Sequence, residues 1–446
     1  MKIEHKRKGW EGAILAGLAC LCFGCSESYP GIMYEEPGDV VGDYVTSDSI
    51  PIMLTVKTPQ LDYITRGYGP IDKESQWQKG QAELFVFAFQ ASNVAYPDEG
   101  AIDYTQADAV LVDGLLDTPA HSHGKRVKLD VTTDAGASEA VVWADGTSVY
   151  YNHEHQDYKY NFFIYHYDDA EIGEVKREKD RIHFNLTIDG TQDIFSGVAR
   201  PSFSESEIKR LEGAGNQELL ADFKPERGQY VYSTWLGHRG IHPNFNIKHE
   251  LVRFHFAVQR GDEAAKDIKI HDVIMRNCRN KGTFTVAAKD TTLVGVDFTA
   301  NATDVRDFHL PDTIKHLDGS IEYTATDSRS LKSERYDIGS LPLKSQTADN
   351  TLRSMPIGAD LMLAPQESYE LLLVCSQVVN GEERTFHPSY TLSLPNKKMF
   401  EKGSLNNIYI TVYGLQEITL QTSGIEWKKG VDITWDDEIS EGPIIE

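Results

Sequence analysis

The chain alternates between apolar and polar residues with the two-residue period of a β-strand. Residues 181–189, RIHFNLTID, place one set of apolar residues on one face and polar residues on the other: Ile182, Phe184, Leu186 and Ile188. This alternation is typical of an antiparallel strand with one buried face. Residues 251–259, LVRFHFAVQ, repeat the pattern, so we expect a second half-buried strand there.

Other apolar segments also predict strands. Residues 82–90, AELFVFAFQ, form a continuous apolar run of the kind found in a sandwich core. Further β-prone runs follow at 50–57, 283–288, 369–379 and 407–421, separated by Gly, Asn and Asp. Helical signals are few, and the best is the capping box of Ser204 and Glu207. The pattern therefore predicts an all-β protein built from β-sandwiches.

The N-terminus has the features of an export signal. A basic segment precedes an uncharged apolar stretch at residues 12–24, which is too short to span a bilayer. Three of the five cysteines lie in or directly after this stretch. Gly24 stands before Cys25 as in a bacterial lipobox, so we expect Cys25 to carry lipid after cleavage. Cys20 is the competing site, and a plain secretory signal is the other alternative.

The length of the chain indicates its domain organisation, and its charge limits the partners that it can bind. Its 446 residues have room for two domains. We expect a signal at 1–24, an acidic tether at 25–48, and sandwich domains at 49–235 and 236–446. The net charge of −24 disfavours nucleic acid as a partner. Cys278 and Cys375 are the two cysteines outside the signal, and the sequence leaves open whether they pair.

No catalytic motif is recognisable. His153 and His155 could share a strand face that Asp157 continues, and they could bind a metal, but no further ligand group follows at a fixed spacing. The tyrosines of residues 150–167 could form a sugar-stacking face, although such residues more often fill a sheet. His249 is interpreted as a structural histidine. We therefore expect no enzyme activity, no metal and no cofactor.

The order of the segments resembles that of the fimbrillin and fimbrillin-like proteins of Bacteroidetes, the subunits of type V pili. The similar segments are the lipobox, IPIMLTVKTPQ, the TRG at 65–67, ELFVFAF, ELLADF, FNIKHELVRFHFAV, NNIYITVYGLQEI and GIEWKKG. The resemblance implies two tandem transthyretin-like Greek-key β-sandwich domains with short helical insertions. It also implies an outer-membrane lipoprotein precursor that reaches the cell surface and the fimbrium.

In such subunits a protease removes the first strand, and a strand from another subunit fills the groove. Here the resemblance implies cleavage between Arg66 and Gly67, with Ile52, Leu54 and Val56 on the leaving strand. A solvated loop arginine is the alternative for Arg66. The candidate donor residues lie near the C-terminus, in two groups: Ile408, Ile410, Val412 and Leu415, or Val431, Ile433 and Trp435. The residues of either group could equally close the sheet of their own domain.

The acidic end of the chain, with Pro443, fits an edge or tail better than a long buried strand. Shaft, tip and anchor roles therefore stay open. The expected partners are other pilus subunits, a lipid anchor in the outer membrane, and a host or bacterial surface glycan or protein. The alternative function is that of a lipid-anchored glycan-binding protein that does not polymerise.

Overall fold

A computed structural model describes residues 50–57, 84–91, 102–114, 123–130, 139–152, 158–199, 232–237, 242–299, 303–310, 313–315, 321–323, 336–337, 355–395, 398–414 and 417–426. The signal, the tether, Arg66, Gly67, the helix predicted at Ser204, residues 153–157, Leu415 and the segment from Val431 to Trp435 lie outside these residues. Within them, no helix is long and apolar enough to cross a membrane.

The described chain is almost entirely β-strand, as the sequence predicts. In chain order, the first strands are β1 (Leu54–Lys57), β2 (Leu84–Gln90), β3 (Val110–Val112), β4 (Lys125–Asp130), β5 (Glu139–Trp143), β6 (Lys159–His166), β7 (Glu171–Ile172), β8 (Lys176–Arg177), β9 (Arg181–Thr187), β10 (Phe195–Ala199), β11 (Tyr232–Ser233), β12 (Asn244–His249), β13 (Val252–Arg260) and β14 (Ile268–Arg279).

The second half continues in the same way. Its strands are β15 (Lys281–Ala288), β16 (Gly295–Asp297), β17 (Val305–His309), β18 (Thr313–Lys315), β19 (Ile321–Tyr323), β20 (Tyr336–Asp337), β21 (Met355–Pro356), β22 (Leu361–Leu363), β23 (Ser368–Val379), β24 (Glu382–Phe386), β25 (Ser389–Ser393), β26 (Ser404–Gly414) and β27 (Glu417–Glu426). The described helices are short: α1 (Thr234–Gly237) and the 3₁₀ turns Ala107–Ala109, Glu263–Asp267 and Thr291–Leu293.

The largest sheet has nine strands in the order β11-β6-β10-β12-β1-β5-β4-β2-β3, and an additional pairing joins β2 to β6. That pairing closes β6, β10, β12, β1, β5, β4 and β2 into a ring, which we call the closed sheet. The other sheets have the orders β21-β13-β26-β27 with β22 beside β13, β17-β14-β23-β24 with β20 and β25, β16-β15-β9-β7 with β8, and β18-β19. Several sheets packed on one another fit the predicted β-sandwich fold.

The continuous apolar run of β2 has a simple cause, because its two faces belong to different hydrophobic clusters. Leu84, Val86 and Ala88 pack into one cluster, which β1 also lines. Phe85, Phe87 and Phe89 pack into the other cluster, which extends through the remaining sheets. β2 therefore separates two hydrophobic cores and needs apolar residues on both faces.

The two alternating strands differ in burial. β9 is half-buried as predicted, with Ile182, Phe184 and Leu186 in the core and polar residues on the other face. β13 is not, because Arg253 and Gln259 on its polar face are fully buried as well. The prediction of one solvated face was wrong for β13, because its second face carries the ion pair of Arg253 with Asp360 and the hydrogen bond from Gln259 to Thr411 of β26.

Backbone pairing crosses the predicted domain boundary at 235/236. β12 lies beyond the boundary and pairs with β1 and β10 in the closed sheet. β9 lies before the boundary and pairs with β15. The second hydrophobic cluster likewise includes residues from both sides, from Phe85 to Val412. The division into domains at 49–235 and 236–446 stays a prediction.

Candidate functional site: the slot of the first strand

The candidate site is the position that β1 occupies in the closed sheet. β1 lies between two strands, antiparallel to β5 and parallel to β12. Val56 is opposite Glu139 on one side and Phe245 on the other. We call the space that residues 50–57 fill between these neighbours the β1 slot.

The backbone of the segment that leads into β1 is also paired. The Ile52 N–H donates to the Val149 carbonyl at 2.7 Å, and the Tyr151 N–H donates to the Ile50 carbonyl at 2.9 Å. The Thr55 N–H donates to the Pro243 carbonyl at 2.9 Å. The slot therefore offers backbone partners on one side along residues 50–56 and on a second side, from residues 243–246, along residues 55–57.

The side chains of this segment alternate between buried and half-buried positions. Ile50, Ile52, Leu54 and Val56 are 7%, 4%, 2% and 0% exposed, whereas Met53 and Thr55 are half-buried. The four buried residues pack in the first cluster with residues such as Trp143 and Phe245. Each buried side chain of this kind contributes about 1.5–3 kcal/mol relative to exposure, so the segment is worth a large share of a typical domain stability of about 5–15 kcal/mol.

The arrangement allows one strand to replace another. An empty slot would expose the apolar lining and leave unpaired N–H and C=O groups on β5 and β12, both of which are costly. Any extended segment with apolar residues at every second position meets both needs. The slot therefore selects a strand by its alternation, and the chain's own residues 50–57 have that pattern.

The first group of predicted donor residues lies inside its own sheet. Ile408, Ile410 and Val412 are fully buried on β26, which is paired with β13 on one side and β27 on the other. Removing β26 would open the larger core. This position favours the alternative in which these residues close their own sheet, and it leaves Val431, Ile433 and Trp435 as the donor prediction.

The tyrosine-rich stretch does not form a stacking face among the described residues. Tyr151, Tyr160 and Tyr165 are buried, and Tyr167 packs against the larger core. Tyr150 is 48% exposed and is the exception. These tyrosines fill the sheet, which is the more common role of such residues in strands.

His249 is buried at the end of β12, with its side chain 1% exposed. Its Nδ1 lies 2.9 Å from Oδ1 of Asp193, whose side chain is fully buried. Asp168 lies in the same region, at a turn with φ of 51°, and accepts a hydrogen bond from the Asp193 N–H at 3.3 Å. Burial raises the pKa of Asp168 to about 6, while His166 opposes this shift and Asp169 and Asp193 add to it.

Sequence reasoning missed two buried ionic clusters. Arg253 on β13 donates to Asp360, and the His255 Nδ1 lies 2.7 Å from the same carboxylate. Burial alone would raise the pKa of Asp360, but Arg253 and His255 hold it below its ordinary value. The second cluster surrounds Glu250, directly after β12. No group of three or more metal-ligating side chains occurs in the part of the chain that the structure describes.

No model of a known protein family matches the chain, and no curated protein matches it. Among solved structures it is similar to a Bacteroides uniformis protein assigned to cell adhesion, with 11% identity and a TM-score of 0.40 over 85% of this chain and all of that chain. It is also similar to the fimbrial anchor protein Mfa2 from Porphyromonas gingivalis, with 12% identity and a TM-score of 0.29 over 84% and 98% of the two chains.

A third similar structure is a Bacteroides thetaiotaomicron protein assigned to polysaccharide binding. Its identity is 9% and its TM-score 0.30, over 83% of this chain and 95% of that chain. Two of these three proteins come from Bacteroides and one from Porphyromonas, and one of the three is a fimbrial protein. At TM-scores of 0.40 or below, the likeness gives no residue-by-residue correspondence.

Proposed function

We propose that this chain is an adhesive protein of the cell surface that joins other subunits by strand exchange at the β1 slot. The single observation that carries the proposal is the position of residues 50–57. β1 is paired on both sides, with β5 and with β12, and residues 50–56 bury every second side chain. A cut at Arg66 would fall between β1 and β2 in the chain and would separate residues 50–57 from β2.

The incoming strand in this proposal comes from the C-terminus of another subunit. Val431, Ile433 and Trp435 have the alternation that the slot selects, and they follow the last described strand, β27. The segment that carries Ile408 is less suitable as a donor, because its removal would expose the hydrophobic core that β26 covers. The partner is thus a second copy of this chain or a related subunit, and a surface glycan or protein is the adhesion target.

The proposal includes a lipid on Cys25, with the precursor exported to the outer membrane, and no catalytic role. Of the three His–Asp contacts among the described residues, those of His255 with Asp360 and of His309 with Asp272 are partly exposed, and the His249–Asp193 pair is the most deeply buried. Its side chains are 1% and 0% exposed, so a substrate could not reach them.

The experiment is to treat the full chain with a trypsin-like protease and add a synthetic peptide of residues 427–439. Intact mass spectrometry then shows the cut and native mass spectrometry shows the bound peptide. We expect cleavage after Arg66, loss of the segment before Gly67 and one peptide bound for each chain. Arg66→Ala should abolish both, while Arg384→Ala, which changes an exposed arginine on β24, should abolish neither.

A second peptide tests the selection rule. In it, the residues that correspond to Val431 and Ile433 are replaced by Asp, and we expect no binding because a charge would enter the apolar slot. A chain that stays uncut, or that is cut but binds both peptides equally, would contradict strand exchange. An uncut chain that keeps lipid on Cys25 would instead indicate an adhesive lipoprotein that does not polymerise.

A further inference from the structure

Two strand pairs differ from all the others in the described part of the chain, because they are parallel. β1 is parallel to β12, with Thr55, Val56 and Lys57 opposite residues 244–246. β13 is parallel to β26 over eight residue pairs, from Arg253 opposite Leu405 to Arg260 opposite Val412. Every other pairing between the described strands is antiparallel.

The two parallel pairs share one continuous segment. β12 ends at His249 and β13 begins at Val252, so Glu250 and Leu251 alone separate them. One parallel pair thus joins the first described strand to this segment, and the other joins the segment to β26, close to the end of the described chain. A route of strands leads from β1 through β12 and β13 to β26.

Parallel pairing decides how this route responds to tension. When the N-terminal end of one strand and the C-terminal end of its parallel neighbour are pulled apart, the force acts along both strands. All the hydrogen bonds between them are then sheared together. In an antiparallel pair these two ends lie side by side, so the same pull opens the hydrogen bonds one after another. Tension between β1 and β26 therefore meets shear at both pairs.

The short link between β12 and β13 is held from several sides. The Glu250 carboxylate accepts the Ser196 hydroxyl and, at 2.9 Å, the Val296 N–H. Lys402 donates to the same carboxylate at 2.6 Å and to the Val296 carbonyl at 2.6 Å. We call Glu250 with these three partners the Glu250 clasp.

The backbone strengthens this attachment. The Glu250 N–H donates to the Ile194 carbonyl at 2.9 Å, and the Gly403 N–H donates to the Leu251 carbonyl at 2.8 Å. Gly295, with φ of 129°, leaves room for the carboxylate, since a Cβ there would lie 2.7 Å from Glu250 Oε1. The clasp thus ties the link to β10, to β16 and to the residues that precede β26.

We propose that the chain carries tension between the N-terminal end of β1 and the C-terminal end of β26 along β1, β12, β13 and β26, with the Glu250 clasp as the fixed point between the two sheared pairs. This function belongs to the single folded chain and does not depend on polymerisation. In a polymer, a strand that occupied the β1 slot in the same direction would enter the same route.

Single-molecule pulling tests the proposal on the full chain with Cys20, Cys22 and Cys25 replaced by serine. Handles attach to cysteines introduced by Ser49→Cys and Gly414→Cys, which load the route at its ends. Cys278 and Cys375 are buried and leave the folded chain with no other accessible thiol among the described residues. In the comparison chain, the handles attach to cysteines introduced by Glu401→Cys and Trp427→Cys. These positions load the open end of the antiparallel β26–β27 pair, where Ser404 lies opposite Glu426.

We expect a single high-force event when the chain is pulled between positions 49 and 414, and lower, stepwise opening between positions 401 and 427. Equal forces in the two directions would contradict the shear route. So would a lower force between positions 49 and 414. Either result leaves the strand-exchange proposal untouched, because no second subunit or protease takes part.

A matched pair of variants tests the clasp. Lys402→Met removes the lysine that holds Glu250, whereas Lys281→Met removes a surface ion pair to Asp304 of the same 2.6 Å length, on a strand outside the route. We expect Lys402→Met to lower the peak force between positions 49 and 414 and Lys281→Met to leave it unchanged. An equal effect of both variants, or no effect of either, would overturn the role of the clasp.

Discussion

Arg253 and Asp360 form a fully buried ion pair at the centre of the β13 sheet, although they are 107 positions apart in the chain. The Arg253 side chain is 0% exposed and the Asp360 side chain 2%. His255, two residues along the same strand, contacts the second oxygen of the carboxylate. The pair fixes how β13 packs against the segment before β22.

We predict that Asp360→Ala lowers the free energy of unfolding by about 3–5 kcal/mol, because it leaves a buried guanidinium without its counter-ion. Replacing both partners, by Arg253→Met with Asp360→Leu, should cost clearly less, since no charge then stays buried. Urea unfolding of the full chain measures both, with Arg384→Met as the exposed control. Equal losses in the single and double variants would contradict this account.

The β1 slot gives a second prediction. Leu54→Ala removes a side chain that is 2% exposed in the first cluster, so we expect a loss of about 2–5 kcal/mol in the free energy of unfolding. Met53→Ala, at the neighbouring half-buried position, should cost much less. Urea unfolding compares the two variants. If Met53→Ala proved as costly as Leu54→Ala, the observed alternation of buried side chains would be wrong.

Asp168 predicts a dependence of stability on pH. Because burial raises its pKa from 3.8 to about 6, the fold favours the neutral acid, and this stabilisation is present below pH 3.8 and lost as pH rises through 6. Asp168→Asn keeps a neutral side chain that tolerates the positive φ. We expect the variant to match the parent chain near pH 4 and to exceed its stability by about 2–3 kcal/mol at pH 8.

Chemical unfolding at a series of pH values measures this difference. The charged groups that face Asp168 are His166, Asp169 and Asp193, and they are unchanged in the variant. Asp108→Asn, at an exposed position, serves as the control. A constant difference between pH 4 and pH 8 would argue against the titration of Asp168.

The two cysteines of the body give a fourth prediction. Cys278 and Cys375 are free and buried, and burial raises the pKa of each thiol to about 12. Because the thiolate is the reactive form, neither should react with a thiol reagent at pH 8 in the folded chain, and both should react after unfolding. The assay uses the chain with Cys20, Cys22 and Cys25 replaced by serine. Rapid labelling of the folded protein would contradict their burial.

The sequence was sufficient to predict a strand, or its buried face, where that feature depends on the residues of the strand itself. The alternation of β9 predicted its buried face, and the apolar, β-prone run at residues 50–57 predicted a strand, which the structure has at Leu54–Lys57. The apolar run of β2 predicted a core strand, but not that its two faces enter different clusters. That requires knowledge of what packs on each side.

Sequence reasoning failed where the burial or the contacts of a residue depend on a partner that is distant in the chain. Arg253 looked solvated because the pattern of β13 cannot reveal Asp360. Glu250 and Lys402 carry no local signal, although they meet across 152 positions. The parallel direction of β1 and β12 is likewise invisible in either segment, because it depends on the path of all the chain between them.

The pairing of β1 with β12 also determines how early the closed sheet can form while the chain is being synthesised. Residues 50–57 are made early, but their parallel partner begins at Asn244, so the closed sheet cannot form before more than half of the chain exists. Until then, an apolar, β-prone segment stays without its full set of neighbours, which is a state prone to aggregation. We expect a nascent chain that ends before Asn244 to need a chaperone, and a chain that extends past His249 to release it.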